Sequence, residues 1–83
     1  MTPVHSRRLG APRPISVRPG AAGRPARVGG RPVASVLEEW VVEDRWWTGH
    51  ALRRRYFELV LGDGRNAVVF HDLARRSWYS QRA

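Results

Sequence analysis

The sequence predicts a mainly β chain, a small antiparallel sheet that is strongly twisted or closed into a partial barrel. Three observations lead there. In "RYFELVL", Phe57, Leu59 and Leu61 alternate with Tyr56, Glu58 and Val60, the period of two that sends successive side chains to opposite faces of a strand. "GDGR" follows, and Asp63-Gly64 suits the positive-φ positions of a two-residue hairpin turn. All eight aromatic residues lie in 40–83 and all six prolines in 1–32, so the side chains able to fill a core belong to the later part of the chain.

The first third is basic and punctuated by Pro and Gly. Residues 1–33 hold seven of the fifteen basic residues and no acid, whereas 34–83 hold the other eight and all seven acids. Its composition favours a disordered arm. Two short apolar runs, "ISV" at 15–17 and "ARV" at 26–28, leave short strands joined by turns as the alternative. "PVASVLEEWVVE" is equally two-sided. Val33, Val36, Leu37, Trp40 and Val41 fit a helical spacing, yet the β-branched content suits a strand with Val36, Trp40 and Val42 on one face. Beyond the hairpin turn, "NAVVFHDL" is the return strand and "SWYSQ" a short last one.

Composition narrows the function classes. A chain of 83 residues makes one domain with a small core. It has no cysteine, hence no disulfide framework and no thiolate metal site, which fits a cytoplasmic location. No apolar run reaches the ~20 residues of a membrane span, and the N-terminus lacks the apolar region of a signal peptide. The net charge of +8 points to an anionic partner. Every basic residue is Arg, which suits bidentate phosphate contacts but also follows from GC-rich coding.

"EDRWWTGHALRRRYFE" carries the candidate site: Arg45, Trp46, Trp47, Arg53, Arg54 and Arg55. On a strand, Arg53 and Arg55 share a face with Phe57, and Arg54 shares the other with Tyr56 and Glu58. The functional reading is a phosphate-facing patch beside a ring that stacks on a base. The plainer reading makes the Trp pair a cover for the ends of a small barrel and the arginines a solvated strand entrance that guards an edge. His50, His71 and Asp72 form no set with catalytic or metal-ligating spacing, and Asp72 suits a cap for the turn in "DLARRS". The expectation is a protein that is not an enzyme, with no cofactor and no metal site.

From Arg7 onward the order and spacing of "RRLGAPRPISV", "GRPARV", "VLEEW", Trp46-Trp47, "RRRYFEL", "DGR", "VFHDL" and "SWY" resemble a small bacterial domain of unknown function. In similar form it is the C-terminal tail of ImuB-like proteins, relatives of Y-family DNA polymerases in damage-induced mutagenesis. The run "VGGRPVAS" departs from that pattern, being poorer in aromatics. The resemblance implies a mostly β fold and a setting in DNA repair, and carries over no catalytic residue. It favours strands at about 15–18, 25–28 and 33–43, for five or six in all. The resulting expectation is a flexible basic arm over 1–13 and a single β domain over 14–83. Its function is expected to be non-catalytic and tied to DNA damage tolerance, binding nucleic acid electrostatically or docking onto a mutagenesis protein without DNA contact. The partner is then single-stranded DNA or a translesion-synthesis protein, and not a membrane.

Overall fold

The computed structural model describes residues 11–44 and 52–81. Among the described residues seven strands form one antiparallel sheet, with a 3-10 turn at Ala21–Gly23 between two of them. They are β1 (Arg13–Pro14), β2 (Val17–Pro19), β3 (Pro25–Val28), β4 (Arg31–Asp44), β5 (Leu52–Leu61), β6 (Asn66–Asp72) and β7 (Ser77–Gln81). Their order is β1-β7-β6-β5-β4-β3-β2, and the sheet curls into a half-barrel. "PVASVLEEWVVE" is strand and not helix.

The count exceeds the expected five or six for a physical reason. The extended run over residues 13–19 changes partner half-way. Arg13 and Pro14 pair with Ser80 and Tyr79 of β7, and the Ile15 amide donates to the Trp78 carbonyl at 3.1 Å. Ser16 then accepts from Gly29 at 2.7 Å, and Val17 pairs with Val28 of β3. One segment therefore touches both ends of the strand order and ties the curl together. The expected arm over 1–13 falls mostly outside the described residues, but Arg13 belongs to β1.

The β5–β6 hairpin has a longer turn than its sequence suggests. Gly64 donates to the Leu61 carbonyl at 2.9 Å and Leu61 donates to Arg65 at 2.8 Å, enclosing Gly62, Asp63 and Gly64. Only Gly64 takes positive φ, at 87°. This is the three-residue loop in which a turn is closed by one left-handed residue. Asp63 holds it by accepting from the Arg65 amide at 3.0 Å.

The concave face of the sheet carries the core. Phe57, Leu59 and Leu61 of β5, Val69 of β6 and Val28 of β3 are buried there, and Ile15, Val17 and Trp78 pack against them. Val36 also joins this face, opposite Leu59. Trp40, expected to share a face with Val36, lies on the other side. The register shifts between Val36 and Glu38, so one bulged residue turns the rest of β4 over.

Candidate nucleic-acid interface

Strand β5 sets the geometry of the three consecutive arginines. Alternation sends Arg53 and Arg55 to the concave face with Phe57, and Arg54 to the convex face with Tyr56. The arginines thus do not share one surface. Arg53 Nε lies 2.9 Å from Glu43 Oε2, its register partner on β4. Arg55 grips Glu39 through Nη2 at 2.6 Å and Nε at 2.9 Å, and its Nη1 donates to the Ala22 carbonyl at 2.9 Å. Its guanidinium also stands 5.0 Å from the Phe57 ring. Arg24 reaches the other oxygen of Glu39 at 3.1 Å. The hydrogen bond from Arg55, helped by Arg24, holds the Glu39 carboxyl below its usual range against the opposing effect of burial.

On the convex face, Arg54 lies 4.5 Å over the Phe70 ring. Its Nη1 donates to the Tyr56 hydroxyl at 3.4 Å, while its Nε is buried with no hydrogen-bond partner among the described residues. This guanidinium caps an aromatic row that the sequence did not reveal. Trp40, Tyr56, Phe70 and Tyr79 stand directly opposite one another on four adjacent strands. Ring centroids along the row are 5.3, 4.9 and 5.2 Å apart. Tyr56 and Phe70 are buried by their neighbours, so these two rings pack the sheet, while Trp40 at the end of the row stays exposed.

His71 and Asp72 diverge as adjacent strand residues must. His71 stacks on Trp78 at 4.4 Å, with 4° between the planes. Burial foremost, and the Arg55 charge, pull its pKa below the ordinary value, with Asp72 opposing. Asp72 is buried on the other face and accepts from the Ala74 and Arg75 amides, both at 3.1 Å, which caps the β6–β7 turn as its sequence suggests. Among the described residues no cluster of His, Cys, Asp or Glu could hold a metal ion. No described helix is long and apolar enough to cross a membrane. Arg45, Trp46, Trp47 and His50 lie outside the described residues.

Apart from Arg54, the arginines without a carboxylate among the described residues lie elsewhere. Arg18 on β2 and Arg27 on β3 are direct register partners, both exposed, with no carboxylate in ion-pair range among the described residues. Together with Ser16 and Gly30 they line a shallow groove, and Arg27 is steadied by donating to the Gly30 carbonyl. Val17 and Val28, the preceding register pair, point into the core, which turns both arginines outward. Exposed Arg75 and Arg76 on the β6–β7 turn likewise have no acidic partner among the described residues. The alternation of "SVR" and "ARV" carried this signal, but only the pairing register brings the two arginines together.

No family model, curated protein or solved structure matches the chain. A small curled sheet hosts many unrelated activities, so function has to be argued from the side chains.

Proposed function

We propose that this protein is a non-catalytic module that binds single-stranded nucleic acid through its phosphates, with Arg18 and Arg27 as the principal contacts. The observation that carries the reading is their pairing. Like charges directly opposite on two strands destabilise the pair, and no acid among the described residues relieves it. Two backbone phosphates, one on each guanidinium group, would, because each group presents a fixed fork of donors matched to phosphate oxygens. The Ser16 hydroxyl at the groove supplies a further donor.

Arg53 and Arg55 are poorer candidates. To contact a phosphate each has to leave a carboxylate that stays beside it and repels the incoming anion. The setting in DNA damage tolerance rests on the resemblance of the aromatic order alone, and it belongs to the same proposal. Fluorescence anisotropy with labelled single-stranded DNA tests the contact. Arg18→Ala with Arg27→Ala is expected to flatten the slope of log K against log[salt] by one to two units, at about 0.7 for each phosphate that the variant no longer neutralises. Equal slopes for the double variant and the wild type would remove these residues from the interface.

A further inference from the structure

A different observation points to a second surface. Among the described residues, β4 beyond Pro32 has a ladder partner on one side only: β5 occupies that side, and β3 pairs with Arg31 and Pro32 alone. The described residues add no backbone hydrogen bond along the other edge from Val33 to Asp44. An exposed edge of that length is a template for another strand. The large apolar side chains that the described residues expose are all on it: Leu37 at 52 %, Trp40 at 38 % and Val41 at 54 %.

The charge of the same strand says what fits it. Four of the seven acids of this basic chain, Glu38, Glu39, Glu43 and Asp44, are on β4. Glu39 and Glu43 are held by arginines, but Glu38 has no basic partner among the described residues and stands directly opposite Glu58. Two carboxylates in register repel and call for a cation beside them. In the antiparallel register centred on Val41, a second copy of β4 would set Glu39 against Glu43 and Glu38 against Asp44, which adds repulsion where a basic segment would relieve it.

We infer that the free edge of β4 receives an extended segment of a partner protein as an added strand. The segment carries Arg or Lys on the face of Glu38 and Trp40, and apolar residues against Val41. Main-chain hydrogen bonds hold such a strand, and alternate side chains choose it.

The test uses the full chain and three synthetic peptides of about ten residues, a usual strand length. One alternates Val with Arg, one alternates Val with Glu, and one is the Val-Arg peptide N-methylated at alternate residues. The Val-Arg peptide is expected to bind about tenfold more tightly than the Val-Glu peptide, although the protein's net charge of +8 opposes it. It should slow amide hydrogen exchange from Leu37 to Val42. N-methylation should abolish binding by removing donors, and Glu38→Arg should reverse the preference between the two charged peptides. Arg18→Ala with Arg27→Ala should leave peptide binding unchanged, which keeps this surface separate from the nucleic-acid proposal. Three results would each overturn it: Val-Arg binding no tighter than Val-Glu, undiminished binding of the N-methylated peptide, or β4 amides already protected along the free edge in the protein alone. The last would mean that the chain's own residues or a second copy fill the edge.

Discussion

His71 lies flat against Trp78 beside the core, and its environment makes protonation unfavourable. Its native pKa is below its ordinary 6.5, so the unfolded chain binds the proton first. The stabilisation is complete above pH 6.5 and is lost as the pH falls from there through the lowered native value. Glu39 acts in the same direction at lower pH. Its stabilisation is complete above 4.5 and disappears as the pH falls through its own depressed value. Urea midpoints measured across this range should therefore fall in two steps. His71→Gln should erase the upper step and keep the lower; a variant retaining both would show that His71 is not the titrating group. Phe57 and Gly64 test packing and backbone separately. Phe57→Ala should cost about 3–5 kcal/mol through the cavity left under Trp78 and Arg55. Gly64→Val should cost about 1–2 kcal/mol by backbone strain at a φ of 87°, since an added Cβ meets no neighbour within 4 Å. Wild-type urea midpoints for both variants would contradict the hairpin's place in the core.

At the scale of elements, the alternation of Phe57, Leu59 and Leu61 made β5 and its buried face legible, because a side-chain period of two survives without knowledge of the partner. The pairing was less accessible. A two-residue turn at Asp63-Gly64 sets Phe57 opposite Phe70, whereas the three-residue loop sets it opposite Val69 and places Tyr56 against Phe70. One residue of loop length thus decides whether the convex aromatic row exists, and a short Gly-rich sequence does not fix that length. The bulge after Val36 was illegible for a similar reason: it serves the curl of the sheet, and no local turn residue marks it. Composition alone made the first third look like an arm, and the strand expected at about 15–18 rested on the resemblance; Ile15 and the partner change at Ser16 make the run at 13–19 a clasp. Deleting residues 1–10 should leave the urea midpoint in place. Deleting 1–16 should lower stability by about 2 kcal/mol, the cost of losing the half-buried Ile15 together with the β1 pairing to β7. Equal stability of the two truncations would contradict the clasp.

At the scale of the whole molecule, the fold divides the charge. The long strand β4 gathers acids, and these engage arginines of β5 and of the turn before β3. Among the described residues the exposed arginines left without a carboxylate lie on β1, β2, β3 and the β6–β7 turn, and within the run of three arginines only Arg54, packed on Phe70, lacks one. The excess of basic residues before residue 34 foreshadowed this division, but the identity of the exposed pair required the β2–β3 register. The most direct measurement is the salt dependence of single-stranded DNA binding for the wild type and two double variants. With Arg18→Ala and Arg27→Ala the slope should flatten by one to two units, at about 0.7 per phosphate neutralised. With Arg53→Ala and Arg55→Ala it should stay within about half a unit of wild type, since those arginines already hold Glu43 and Glu39. Flattening by the second pair and not the first, or no binding to DNA at low salt, would contradict the account.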